Sequence, residues 1–239
     1  VKKRIASGSL GVINFVEGQY NFPYGGGLVG GQTNWKIPPR TDIAHNQAWK
    51  RNPSYTRSNA VFHQGIVIFT LRYLLGREVE EVTAFTDATG ENKSIACLKF
   101  EGDIYGFALG SHMFPYGSRS ITIYGTEGRM TGVDTLAWGS TGELEVLKLR
   151  SEEVYKDMKK VGAKAVTMAG GLYFEGEKVL EKVEYSGANM WVDTIEAFNK
   201  SIIEDSAVVP SGLDGLKERQ ISMAIFESSK TGKAVKVPK

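Results

Sequence analysis

Cysteine is almost absent from these 239 residues: Cys97 stands alone, which excludes an intramolecular disulfide framework and suits a reducing cytoplasm. It lies in the strand-like run Ser94–Phe100, where a small buried hydrophobe is expected rather than a nucleophile. Histidine is scarce too, and the spacing of His45, His63 and His112 matches no zinc motif, so no metal site is expected. An excess of one charge is also missing. With 29 Lys+Arg against 27 Asp+Glu the formal net charge is +2, which gives no electrostatic case for a nucleic-acid partner. The densest basic groups, Lys2-Lys3-Arg4 and Lys156–Lys160, read as solvated faces. No apolar run approaches the length of a membrane span, no secretory signal is visible, and neither repeats nor low-complexity tracts occur. No membrane association is expected, and the expected location is the cytoplasm.

What remains is an ordinary globular composition, 41% hydrophobic and 23% charged, on a chain long enough to bury a substantial core. It begins at Val1 inside a helical pattern, as a fragment or processed product would. Residues 1–7 read as the last turns of a helix stopped by Gly8, and Gly11–Phe22 as a strand rich in β-branched and aromatic residues. From Pro23 to about Asn59 the pattern dissolves into Gly, Pro and polar residues around Trp35, Trp49 and Tyr55. Loops this long are usually functional or disordered, and the tryptophans favour a cleft wall.

Ala60–Leu75 is strongly apolar with interior polar residues, so a buried helix ending at Gly76 is expected. Strand-like segments follow at 79–86, 93–101, 104–113, 119–125, 128–133 and 143–149, separated by short Gly-bearing turns. Residues 150–180 are ambiguous, with Gly170-Gly171 breaking whatever forms there. Two amphipathic helices close the chain. One carries Trp191, Ile195, Phe198 and Ile202 at helical spacing; the other carries Leu216, Ile221, Ile225 and Ser228, with Asp214 as its N-cap. A short strand from Ala234 to Val237 ends the chain. The expected fold is α+β: a single domain over 1–239, built on a large, open, mostly antiparallel sheet with helices on one face.

Two glycine patterns are rejected as phosphate sites. Gly25-Gly26-Gly27-Leu28-Val29-Gly30 has the formal spacing of a dinucleotide loop. Pro38 and Pro39 follow closely where a helix N-terminus must stand, and no strand–helix–strand unit surrounds the glycines. Thr231-Gly232-Lys233 lacks the upstream glycine of a P-loop.

Ile5-Ala6-Ser7-Gly8-Ser9-Leu10-Gly11 resembles the entry to the C-terminal domain of the Gfo/Idh/MocA oxidoreductases. Thr122–Met130 resembles that family's strand–turn–strand element, and Gly215–Val235 its final helix and strand. The three matches are in the right order and cover nearly the whole chain. The resemblance implies an upstream Rossmann domain, not in this chain, that binds NAD or NADP. It also implies a homodimer or tetramer formed through the back of the sheet. The helix-bearing side would meet nicotinamide and a carbohydrate substrate.

The family's helix carries an Asp and, four residues later, a His after a Gly-Gly pair. Here Ser58-Asn59 replaces the glycines. Anchoring on Gly65-Ile66 puts His63 and Val67 at the two positions; anchoring on Leu71–Gly76 shifts them to Phe62 and Ile66. Neither choice restores the pair. His63 is the candidate acid/base, since imidazole titrates in the useful range; the alternative is a structural histidine beside the core. Trp49, Arg51 and Asn52 lie in a region that approaches substrate in the family, as an apolar sugar platform and hydroxyl-binding donors; the alternative for Trp49 is structural packing under the long loop. Gln64, beside His63, joins the candidate substrate set, its alternative being to point away from the cleft. His45 reads as an exposed loop residue, and His112 as exposed or at a sheet edge. Two functions remain: the substrate-binding, oligomerising part of a sugar, polyol or cyclitol oxidoreductase, or a non-catalytic sugar sensor or regulatory partner. On either reading the isolated chain is expected to bind no cofactor and to be inactive.

Overall fold

The computed structural model describes residues 2–21, 59–87, 93–111, 118–133, 142–148, 167–168, 171–172, 177–183 and 190–238. A short helix α1 (Lys2–Ala6) leads into strand β1 (Ile13–Asn21). Helix α2 (Asn59–Leu75) precedes β2 (Val79–Thr86), β3 (Lys93–Phe100) and β4 (Ile104–Ser111). Then come β5 (Ser118–Gly125), β6 (Gly128–Val133), β7 (Gly142–Lys148), β8 (Thr167–Met168), β9 (Gly171–Leu172) and β10 (Glu177–Val183). Helices α3 (Met190–Ile203) and α4 (Gly212–Thr231) and strand β11 (Val235–Lys236) end the chain.

Nine strands form one sheet in the order β10-β7-β6-β5-β1-β4-β3-β2-β11, and β8 and β9 pair separately. Neighbours in the large sheet are antiparallel except β1 and β4. That exception follows from α2. A helix carries the chain from β1 across one face to β2, which therefore runs in the same direction as β1, and β3 and β4 fill the gap. The hairpin between β3 and β4 turns through Gly102 and Asp103, both at positive φ (78° and 57°), a conformation those residue types tolerate.

Strand alternation sorts the side chains. On β3, Ser94, Ala96, Leu98 and Phe100 point into the core, while Lys93, Ile95 and Cys97 face outward. Cys97 is therefore exposed, not the buried hydrophobe expected, because it shares the parity of Lys93 and Lys99, which the strand turns outward. Val16, Ile121, Ile123, Met130, Leu144 and Val146 extend the core across β1, β5, β6 and β7. Helix α2 lies over β1, β4 and β3 and packs on α4, which covers β2. Close seating of α2 requires glycine in the strands: a Cβ at Gly18 would strike Val67, and one at Gly110 would strike the backbone carbonyl of Ala60.

Helix α4 starts one turn earlier than expected. Ser211 is its N-cap, and Asp214 is the reciprocal partner of a capping box, the signature spelled by Ser211-Gly212-Leu213-Asp214. At the other end the fully buried Ser228 hydroxyl accepts from Ala84 N (2.9 Å) and donates to the Lys233 carbonyl (2.6 Å), stitching α4 to β2 and to the final strand. Helix α3 forms where its periodicity predicts, yet Ile195, Phe198 and Ile202 are exposed.

Candidate functional site

Helix α2 is apolar on both sides, the composition of a helix buried all round. Its inner side, with Val61, Val67, Ile68 and Leu71, is buried on the sheet. Its outer side carries Phe62, Ile66 and Tyr73 exposed, with Phe69 between them stacked against Tyr73 at 6.4 Å. Lys2 places its ammonium over the Tyr73 ring, 3.6 Å from the centroid.

His63 sits half-buried near the N-terminal end of α2, where the inner and outer sides meet. Its imidazole stacks on the Tyr20 ring at 5.2 Å with planes only 7° apart, and Phe62 meets it edge-on at 5.8 Å. Tyr20 comes from β1 and is 5% exposed; Arg119, its register partner on β5, holds its guanidinium 5.0 Å from the same ring. Three elements therefore converge on one aromatic and cationic cluster. A half-buried imidazole on a fixed platform can accept or release a proton from a ligand at the helix end.

One turn further along the inner side, Val67 lies over Gly18. The i, i+4 partner of His63 is thus a core valine, and in the alternative register Phe62 and Ile66 point outward. Neither register supplies a second titratable group.

Gln64 does not face a ligand. It is fully buried, its Nε2 donates to the Ala108 carbonyl at 2.6 Å, and its Oε1 accepts from Ser94 Oγ at 2.7 Å. Both ends of the amide are spent tying α2 to β4 and β3, which removes it from the substrate set. Trp49, Arg51, Asn52, His45, His112 and the Gly25–Gly30 run lie outside the described residues. Sequence reasoning missed Tyr20 and Arg119. Their only sequence signal was parity: each points to the helix-covered face at the strand end nearest the start of α2.

A second surface lies on the open face of the sheet. Phe85, Ile95, Tyr105 and Cys97 expose an apolar half on β2, β3 and β4. The other half is a polar lattice. Tyr124 Oη donates to Glu17 at 2.8 Å, Arg129 pairs with Glu145 at 2.9 Å, and the Thr122 and Thr131 hydroxyls are 3.2 Å apart. Burial, and then the bond to Glu17, raises the Tyr124 phenol above its ordinary range.

The described residues hold no group of His, Cys, Asp and Glu suited to a metal. The start of α4 is filled by the Ser211 hydroxyl and the Asp214 carboxylate, so that helix end presents no open N-terminus of the kind a pyrophosphate uses. Among the described residues no helix is long and apolar enough to cross a membrane.

The family description that matches this chain is the GFO/IDH/MocA C-terminal domain, over residues 1–131. No curated protein matches. Among solved structures, levoglucosan dehydrogenase in complex with NADH and levoglucosan superposes with a TM-score of 0.71 at 19% identity, over 99% of this chain and 62% of that one. The aldose-aldose oxidoreductase from Caulobacter crescentus complexed with glycerol gives 0.68 at 15% identity, over 98% and 58%. An NAD binding oxidoreductase from Klebsiella pneumoniae gives 0.71 at 14%, over 100% and 62%. This chain spans about three-fifths of their length, and identities this low establish a shared fold.

Proposed function

The chain belongs to the Gfo/Idh/MocA family, whose C-terminal domain its residues 1–131 match, and on that premise we propose that it is the substrate-side, oligomerising part of an NAD- or NADP-dependent oxidoreductase acting on a sugar, polyol or cyclitol. The observation that carries this reading is the form of α2, which bears an outward apolar stripe of Phe62, Ile66, Phe69 and Tyr73 with a half-buried His63 at its end. An apolar stripe of this kind is what a second domain covers, and a cofactor-binding domain placed there would bring its reactive ring to His63. Hydride chemistry belongs to the cofactor and to the domain that holds it. This chain contributes the imidazole that takes or returns a hydroxyl proton, and the Trp49–Asn52 segment as the sugar-facing wall. By itself the chain binds no dinucleotide and turns nothing over.

The apolar half of the open sheet face supports self-association into a homodimer or tetramer. Exposed Phe85 and Ile95 are register partners on β2 and β3, and Cys97 with its partner Phe107 continues the apolar surface toward Tyr105 on β4.

The test is turnover by the full-length protein on levoglucosan, L-sorbose, D-glucose and myo-inositol with NAD or NADP, read by nicotinamide absorbance. His63→Ala is expected to lower kcat by about 10²–10⁴. An unchanged kcat reduces His63 to a packing residue. One observation favours a second reading, that of a sugar-binding sensor or regulatory partner: the position paired with His63 is the buried Val67. Tight binding of a panel sugar with no absorbance change under any condition would establish that alternative.

A further inference from the structure

We propose that Tyr20 is a positioning residue of this site, fixing the plane of the His63 imidazole so that its nitrogen meets the substrate hydroxyl in line. The inference rests on the reading of His63 as the proton-transfer group. Imidazole turns about two side-chain torsions, the second of them broad, so an unsupported ring samples a range of planes. Here two contacts at different angles remove that freedom. The Tyr20 ring lies parallel to the imidazole at 5.2 Å and 7°, and the Phe62 ring meets it at 5.8 Å and 68°.

The two supports are unequal. Phe62 is 59% exposed on the same helix and gives way readily, whereas Tyr20 is 5% exposed and belongs to the central strand of the sheet. Tyr20 is itself held. Gly18, two residues back on the same face, brings α2 down onto β1 through Val67, and Arg119 keeps its guanidinium 5.0 Å from the Tyr20 ring. The platform under His63 is thus carried by the sheet and not by the mobile end of a side chain. Proton transfer is far more sensitive than binding to such alignment, so loss of the platform should act on kcat and spare KM.

A stacked aromatic pair is worth about twofold to tenfold in an equilibrium, which sets the expected scale. In the full-length protein, assayed with the panel above, Tyr20→Leu should lower kcat about tenfold while KM stays within about twofold. Tyr20→Phe keeps the ring and should restore wild-type kcat. A second measurement needs no variant of Tyr20 to fold. The imidazole carbon-bound protons of His63, assigned by their loss in His63→Ala, should be displaced upfield by the ring current of Tyr20.

Wild-type kcat in a folded Tyr20→Leu protein, or His63 protons at their free-imidazole positions, would overturn the inference. So would a raised KM with kcat intact, which would make Tyr20 a substrate-binding group. If instead His63→Ala leaves kcat unchanged, or no panel sugar turns over, the reading of the site itself fails and the inference falls with it. A displaced His63 resonance beside an unaffected kcat would identify that case.

Discussion

Replacing Gln64 by leucine separates a structural tie from a substrate contact. The amide is fully buried and joins Ala108 O at 2.6 Å and Ser94 Oγ at 2.7 Å. Leucine fills nearly the same volume and cancels both bonds, leaving the Ser94 hydroxyl and the Ala108 carbonyl short of a partner in a dry interior. Each such group costs about 1–3 kcal/mol, and the apolar filling of the space argues for the lower half, so the total is about 2–4 kcal/mol. For a folding unit of this size each kcal/mol moves Tm by roughly 2–4 °C, so Gln64→Leu should lower it by roughly 4–16 °C. Ser94→Ala should cost less, because it leaves the bond to Ala108 in place. The double variant should cost less than the sum of the two, since both delete the same Ser94–Gln64 bond. The assay is thermal unfolding by circular dichroism, with kcat and KM measured well below the transition. An unchanged Tm together with a raised KM would refute the reasoning and return Gln64 to the substrate site.

Two further outcomes follow from the electrostatics and from the exposed sheet. Asp214 is held below its ordinary carboxylate range first by the Ser211 backbone N–H, then by the Ser211 hydroxyl, with Arg72 adding its charge. A depressed carboxylate stabilises the fold fully above its unfolded value of about 3.8, and that contribution disappears as pH falls through the lower folded value. Asp214→Asn should therefore lower Tm at neutral pH, and the gap to wild type should narrow only below about pH 4; a gap constant across that range would contradict the assignment. On the open face, Ile95→Glu places a charge in the middle of the apolar half and should shift elution of the full-length protein to a smaller species without lowering Tm appreciably. An unaltered elution volume would remove that face from the interface.

The fold was legible because its signals were local. The alternation of β3, the Gly76 stop and the turn at Gly102 each follow from the residues within a few positions. The direction of β1 against β4 also follows once Ala60–Leu75 is read as the crossover. Parity was harder. Cys97 was placed by residue type, although Lys93 and Lys99 share its parity and mark the outward face. The capping box at Ser211 was written in the sequence but read one turn late, from its acidic half. In the site, His63 was proposed by residue type, whereas its neighbour Gln64, about 100° round the helix, turns into the core. Tyr20 and Arg119 had no such signal, being brought to His63 by register across β1 and β5.

The place of β1 in the sheet has a kinetic consequence. This strand is synthesised well before either of its neighbours: Phe15 pairs with Tyr105 on one side and with Tyr124 on the other. The strand that carries Tyr20 stays unpaired until about a hundred more residues have emerged, and loop closure over that separation makes folding slow. During that interval a bare β-rich segment is open to capture by another chain. Substitutions that weaken β4 or β5 should then reduce the yield of folded protein out of proportion to their effect on final stability.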